Sequence, residues 1–598
     1  MRVRDIPAPQ APEERDRARR RSRVVQAAVT LLFTILLGRL WYLQIARGEA
    51  LRRASEMNRL RRERQMAPRG EIRDRAGRLL AGTRPKFVLS VDPLQFKPIR
   101  PEGRLLAECL NMPYEELKSR CKPVGPKYQR VRVAIDIPWD ALARIEEHKA
   151  WLPGVSVDLE ELRYYPQAKL GAHLLGYIGP ISERELQENP EVYAPSSRVG
   201  MTGLERSYEK DLRGCDGGLI LEVDATGRRT RLLRKDAPQR GADLVLTIDS
   251  AVQEAAERGL AGKVGSAVAI DPSNGEVLAL ASRPAYDPNL FAQGIGVKAW
   301  RSILHDKNLP LMNRAIQSAY PPGSTFKLIS ALAGLKAGKT TPGSSAYCTG
   351  ATFLGKRRFR CWKRHGYVTF YTALSESCDI FFYNLGRSVG VQAISDMAKA
   401  FGLGSPTGID LINERSGTVP SVEWKRRYVK PDPVWHPGET YNLSIGQGYL
   451  ETSTLQMASV TGAVAAHGRV YRPHLVRAVI HNGKQTLAPP KLSRTVNLPA
   501  QYFDHVIRGL ELTVTSGTGR AAALPGIRIG GKTGSAETTG AAHAWFVSVA
   551  PLDDPKIAVA VMVEHGAHGA TAAAPIARDM MAAYFKVRST PAPTVSGD

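Results

Sequence analysis

The sequence has no internal repeat at solenoid periods, which excludes a stacked-repeat architecture. It has no long low-complexity tract, so disorder is expected only at the ends. Acidic residues are in short supply: 57 Asp and Glu face 83 Lys and Arg, for a formal net charge of +26. Such a surface suits a nucleic acid, an anionic lipid, an anionic polymer or simple solubility. No zinc-finger, helix-turn-helix or RNA-binding signature accompanies the charge, so nucleic acid is set aside. Long apolar runs are also missing, with one exception near the N-terminus.

That exception runs from Val24 to Ile45, VVQAAVTLLFTILLGRLWYLQI, long enough to cross a ~30 Å hydrocarbon layer as a helix. Arg39 can snorkel near its end, and Trp41 and Tyr42 suit the interface. No small-x-small cleavage site follows, which favours an uncleaved anchor over a signal peptide. Much of the excess arginine flanks this segment on both sides, which favours a membrane surface but leaves its orientation open.

At 598 residues the chain needs two or more domains. Residues 1–23 read as a tail, 24–45 as the anchor and 46–236 as a first mixed α/β region, helical at its start. Residues 237–588 form a second region, and 589–598 read as a disordered tail. The polar stretch Arg234 to Asp243 marks the division. RGEIRDRAGRLLAG reads as strand, turn, strand around Ala76-Gly77, and LVLTID as a short strand before a helix capped by Ser250. SAVAID and EVLALAS flank a hairpin turn at Asn274-Gly275. IRIGGKTGSA, HAWFVSVA and KIAVAVMVE read as three later strands, and TAAAPIARDMMAAYFKV as a last helix. Two early and three late strands predict one antiparallel sheet, an α/β fold of the α+β type. The first and last helices would cover one face, and the helical middle the other.

Chemistry concentrates at AYPPGSTFKLISALAGLKAG. Pro321, Pro322 and Gly323 break the preceding structure, and Ser324 opens a helix with Lys327 one turn on. Both side chains then share a face, where an unprotonated lysine can take the serine proton. Ser-x-x-Lys alone is a weak signal, because Ser119–Lys122 and Ser207–Lys210 repeat it. Two companions strengthen it. Lys532-Thr533-Gly534 follows Gly530-Gly531 on a predicted strand: Lys532 supplies charge, Thr533 can bind a carboxylate, and glycine lets a substrate backbone lie against the edge. Ser377-Cys378-Asp379 lies between, where a hydroxyl and a carboxylate could relay a proton to a leaving amine.

In this order the three motifs resemble the Ser-x-x-Lys, Ser-x-Asn and Lys-Thr-Gly set of penicillin-binding proteins and serine β-lactamases. Asp379 stands where Asn is usual, which leaves its role less defined than that of Ser324. The anchor, RGEIRDRAGRLLAG and GLERSYEKDLRG look like a class B penicillin-binding protein, and RPAYDPNLF, SIGQGYLETSTLQMA and AHAWFVSVAP like the elongation type. Ser453-Thr454 replaces the usual Thr-Pro. The resemblance implies a penicillin-binding/β-lactamase-like transpeptidase domain with a five-stranded sheet on an elongated pedestal. It implies a D,D-transpeptidase acylated at Ser324 by the stem peptides of nascent peptidoglycan and inhibited by β-lactams. Lys532 and Thr533 would hold the terminal carboxylate, with Gly534 and Ser535 on the same substrate edge, and the backbone N–H groups of Ser324 and Ser535 would form an oxyanion hole. It further implies an inner-membrane position with the N-terminus inside, and a SEDS-type glycosyltransferase of the rod-elongation complex as partner. The rivals are a septal enzyme, a D,D-carboxypeptidase or β-lactamase, and a non-enzymatic scaffold or β-lactam sensor.

The six cysteines include a spaced group, Cys348-x12-Cys361-x3-His365-x12-Cys378. Four such donors match a closed tetrahedral zinc site, and Cys378 would tie the metal to the second motif. Some elongation-type relatives carry a metal in this segment. A Cys348–Cys361 disulfide or three unpaired thiols are the alternatives, and Cys109 and Cys121 could form another disulfide.

Overall fold

The computed structural model describes residues 12–49, 60–122, 131–195, 197–223 and 229–588. The chain divides into two compact units, residues 1–67 with 215–239, and residues 68–214 with 240–598.

In the first unit a helix runs from Pro12 to Trp41 and continues as a wider turn over Tyr42–Ala46. It therefore begins well before Val24, and residues 12–23 are helix rather than tail. PEERDRARRRSR starts with Pro at a first-turn position and continues in strong helix formers with no breaker. Arg19–Ala46 is long and apolar enough to cross a membrane. The helix expected just after Ala46 falls largely on residues 50–59, outside the described residues, as does the tail 589–598. Leu60–Gln65, Gly217–Val223 and Arg229–Asp236 form a three-stranded antiparallel sheet. Arg234 to Asp236 are thus strand and not linker.

The second unit joins both halves of the sequence. Asp243–Leu246 pairs in parallel with Ile72–Arg73, which pairs in turn with Leu79–Val91, so residues 68–214 share a sheet with the later chain. This pairing is why the compact units do not divide at 236/237. The turn at Ala76-Gly77 is present, with Gly77 at φ +88. Cys109 and Cys121 lie buried in one small cluster, and both are free thiols.

The catalytic fold begins with α1 (Ser250–Gly259), β1 (Gly265–Ile270), β2 (Val277–Arg283) and α2 (Lys327–Lys336). Two small hairpins follow, β3 (Ser345–Cys348) with β6 (Gly366–Thr369), and β4 (Ala351–Leu354) with β5 (Arg357–Arg360). Next come α3 (Asp379–Val389), α4 (Thr454–Ala465), α5 (Ala500–Thr515), β7 (Gly530–Ala536), β8 (His543–Ala550), β9 (Ile557–Val563) and α6 (Ala574–Phe585). Asp249, not Ser250, caps α1, accepting from the N–H groups of Ala251 and Val252. A carboxylate does this as well as a hydroxyl and also complements the helix dipole.

The sheet order is β2-β1-β9-β8-β7, antiparallel throughout. Alternation sends Ala267 and Ala269 to a core with α1 and α6, and Val268 and Ile270 to a core with α2 and α4. The predicted two-sided burial is therefore observed, and β8 and β9 are buried along their whole lengths. Each large aliphatic side chain buried there contributes roughly 1.5–3 kcal/mol. β7 is left as an edge strand, able to accept a further chain along its free side.

Candidate active site

Ser324 lies half-buried in a tight 3-10 turn, Gly323–Phe326, that leads directly into α2. Two glycines let the backbone pack closely there. Gly323 has φ +54, and a Cβ on it would lie 2.7 Å from the Ser535 carbonyl oxygen. Gly446 has φ +77, and a Cβ there would lie 2.1 Å from the Gly323 carbonyl oxygen. The Gly323 N–H donates to the Gly446 carbonyl at 2.9 Å, so turn, Gly-Gln-Gly loop and the end of β7 meet at the serine. Upstream, the Tyr320 hydroxyl and the Arg314 guanidinium both donate to Glu564, at 2.6 and 2.7 Å, which anchors the segment leading into the turn.

Lys327 is fully buried one turn beyond Ser324. Its Nζ donates to the Ser377 carbonyl (2.9 Å), the Ser377 hydroxyl (3.1 Å) and Asp379 Oδ1 (2.7 Å). Sequence reasoning placed this triplet in the site, and the structure supplies the contacts. Ser377 achieves them in the left-handed region, at φ +57, where a non-glycine residue is uncommon and strained. Because its oxygen accepts from Lys327, its own proton remains available to a leaving group. Asp379 opens α3, where the helix N-terminus favours its charge.

Lys532 was expected to supply positive charge. It is fully buried, donates to the Thr533 carbonyl at 2.9 Å, and among the described residues touches no carboxylate. Burial, and next the charge of Lys327, hold its pKa well below the ordinary 10.5, which favours the neutral amine. An arriving carboxylate would reverse that preference by giving the charge a partner. Thr533 and Ser535 follow on the same edge strand, Thr533 nearly buried and Ser535 exposed.

Two further residues escaped sequence reasoning. The Thr518 hydroxyl pairs with the Thr533 hydroxyl at 2.7 Å and also reaches the Ser375 carbonyl at 3.3 Å. Gln447 donates to the Ser535 carbonyl at 3.2 Å. The available signal for Gln447 was its place between two glycines; Thr518 had none beyond the Ser-Gly-Thr-Gly turn after a helix. The other Ser-x-x-Lys pairs, Ser119–Lys122 and Ser207–Lys210, start on short helices within residues 68–214 and share no hydrogen bond with this cluster.

The ligand atoms of Cys348, Cys361, His365 and Cys378 lie within 4.8 Å of one another, and the cysteines are free thiols. His365 donates from Nε2 to the Glu376 carbonyl at 3.0 Å, which leaves the Nδ1 lone pair facing the Cys348 and Cys361 sulfurs, each at 3.5 Å. The hydrogen bond between Cys361 and Cys378 draws the Cys361 thiol down and pushes Cys378 up. The Asp379 N–H donates to Cys361 Sγ at 3.2 Å, so the cluster grips the second motif directly.

A serine at the head of a buried helix, primed from within the core and opened onto a sheet edge, defines the penicillin-recognising serine acyltransferases as a class. Comparison with known proteins refines this. Residues 265–582 match the penicillin binding protein transpeptidase domain, and residues 64–246 the penicillin-binding protein dimerisation domain. The peptidoglycan D,D-transpeptidase MrdA of Acinetobacter baumannii is 36% identical, over 91% of this chain and 84% of that protein. The penicillin-binding protein PBP2 of Helicobacter pylori, solved in complex with MreC, matches with TM-score 0.75 at 28% identity, over 88% of this chain and 99% of that one. A chain from a peptidoglycan synthase complex that coordinates polymerization and crosslinking matches with TM-score 0.73 at 32% identity, over 95% and 99%. The chain belongs to the class B penicillin-binding proteins.

Proposed function

We propose that this chain is a serine-type peptidoglycan D,D-transpeptidase that cross-links stem peptides during cell-wall elongation. The carrying observation is the buried Lys327, one turn from Ser324 and bonded to both Ser377 and Asp379. Ser324 Oγ attacks the penultimate D-Ala carbonyl and gives up its proton to the unprotonated amine of Lys327. The Ser324 and Ser535 N–H groups hold the oxyanion, and Ser377 passes a proton to the departing D-Ala. Thr533, backed by Thr518, and Lys532 hold the terminal carboxylate, with Gly534 giving close access. An amine from a neighbouring stem then takes the acyl group, and β-lactams stall at the first stage.

Residues 46–236 serve as the pedestal and 237–588 as the transpeptidase domain. The Arg19–Ala46 helix is the single membrane anchor, with the N-terminus inside and the catalytic domain in the periplasm, where uncross-linked wall lies. A SEDS-type glycosyltransferase is the partner this arrangement serves; relatives have been seen with MreC and in a synthase complex.

Fluorescent penicillin should label the wild type and not Ser324→Ala, and a stem-peptide donor with an amine acceptor should yield cross-links. Labelling without turnover would indicate a sensor, and D-Ala release without cross-links a carboxypeptidase. Undiminished labelling of Ser324→Ala would sink the reading.

Cys348, Cys361, His365 and Cys378 would hold a structural zinc: three soft sulfurs and an oriented imidazole, one thiol already favouring the thiolate. Its role would be to fix the loop carrying Ser377 and Asp379, with no part in the bond-breaking steps. One zinc per purified chain, lost in Cys361→Ser, is the expected outcome; a metal-free wild type ends the idea.

A further inference from the structure

The two hairpins between α2 and α3 supply Cys348 to the metal-type cluster but no group to the bond-breaking steps, and their surface is unusual. No acidic residue occurs between Asp306 and Glu376, while Lys356, Arg357, Arg358, Arg360, Lys363 and Arg364 all lie there. All six are exposed, and among the described residues only Lys363 has an ion-pair partner, Glu376 at 2.5 Å. Four large aromatic side chains stand among them: Tyr347 and Tyr367 are each 70% exposed, Phe353 65% and Trp362 58%. Tyr347 lies directly opposite Tyr367 across β3 and β6, and Phe353 directly opposite Arg358 across β4 and β5.

Exposed rings amid cations of one sign, in such density, mark a surface suited to recognition of an anionic partner. Rings take the apolar faces of sugars, and guanidiniums take carboxylates in bidentate fashion. The pairing of an exposed ring with a cation across one hairpin, Phe353 opposite Arg358, favours an occupant that carries both apolar faces and anionic groups, not a continuous apolar layer. The surface is also tied to the catalytic motif. Trp362 Nε1 donates to the Glu376 carbonyl at 3.0 Å, and the Tyr383 hydroxyl of α3 donates to the Arg360 carbonyl at 3.2 Å. An occupant held here rests against the element that carries Ser377 and Asp379.

We infer that β3–β6 and β4–β5 form a docking surface for the glycan–peptide polymer, with sugar rings on the aromatic faces and free stem-peptide carboxylates on the arginines. This rests on the transpeptidase reading and adds to it the polymeric part of the substrate. The hairpins select chains whose stems are ionised, and they hold a strand while its reactive terminus sits at Ser324.

The test uses the full chain in detergent and, as probe, fluorescently labelled uncross-linked glycan strands bearing pentapeptide stems. The double variant Arg357→Glu, Arg358→Glu should bind strands about tenfold more weakly. Phe353→Ala should lose a smaller factor, and added salt should weaken the wild type toward the double variant. Strands whose peptides have been removed by an amidase should bind both proteins alike. Penicillin acylation of Ser324 should be unchanged in every variant, which also shows that they are folded. Wild-type strand affinity in the double variant overturns the inference. So does a double variant whose only defect is weaker association with phosphatidylglycerol vesicles, which would assign the patch to lipid. Failure of the wild type to capture penicillin would instead strike the transpeptidase reading, whatever the strands do.

Discussion

Two clusters of buried charge lie in the second compact unit, and they are built on opposite plans. Within residues 68–214, Arg69 and Arg163 meet Glu205 and Glu209: Arg69 bonds Glu205 at 2.6 Å and Glu209 at 2.7 Å, and Arg163 bonds Glu205 at 2.6 Å. Two cations face two anions, and Tyr165 adds a hydroxyl to Glu205 at 3.1 Å. Burial pushes Glu205 up, but the two guanidiniums outweigh it and keep the carboxyl below its ordinary value. At the catalytic end there are two buried lysines and one contacting carboxylate: Asp379 bonds Lys327 and leaves Lys532 without an anion in contact among the described residues. The balanced cluster stores no reactivity and holds distant segments together. The unbalanced one holds the Lys532 amine well below its ordinary pKa, poised to take up a proton when an anion arrives.

The largest expected effect comes from breaking the unbalanced cluster at its paired member. Lys327→Met should lower the rate of β-lactam acylation by about 10³-fold, read by stopped-flow or timed labelling, because proton removal from Ser324 loses its acceptor. A variant that acylates at a near-normal rate would mean that the proton leaves by another route. Breaking the balanced cluster should act on stability instead. Glu205→Gln leaves two buried guanidiniums with one carboxylate and should cost about 3 kcal/mol or more in denaturant unfolding. Acylation per folded molecule should not change; a matching rate loss would erase the distinction between the clusters.

The smallest effect sharpens the comparison most. Lys532→Met removes an amine that the fold buries without a carboxylate, so it should raise stability by roughly 1 kcal/mol while crippling carboxylate recognition. The sign of the pH effect follows from the lowered pKa. Below pH 10.5 the unfolded chain carries a proton on Lys532 that the folded chain lacks, so wild-type stability rises with pH from the lowered folded value up to 10.5. Lys532→Met should flatten that slope, and an unchanged slope would show that Lys532 is charged in the folded protein.

Legibility in the sequence followed the range of the forces involved. Four of the five strands were visible because each is a short apolar run bounded by turn residues, with Asn274-Gly275 marking one hairpin, whereas β7 was legible through its glycines and the Lys532-Thr533-Gly534 motif. The four metal-type donors were visible as a spacing, and the structure brings all four together. The start of the first helix was misread because arginine-rich polarity was taken as disorder, although arginine is a good helix former. Thr518 and Gln447 were missed because their partners, Thr533 and Ser535, arrive from other segments.

By itself the sequence determined which groups the chemistry can use: a hydroxyl with an amine one helical turn on, a lysine followed by a threonine on a glycine-rich strand, and an apolar span of membrane length. These are local patterns, set by periodicity and chemical type. Only the tertiary structure decided their charge states and partners. Whether a lysine is charged depends on how much water is excluded and which carboxylates are near, and Asp379 meets Lys327 while no carboxylate of the described residues meets Lys532, because α2, α3 and β7 converge from segments far apart in the chain.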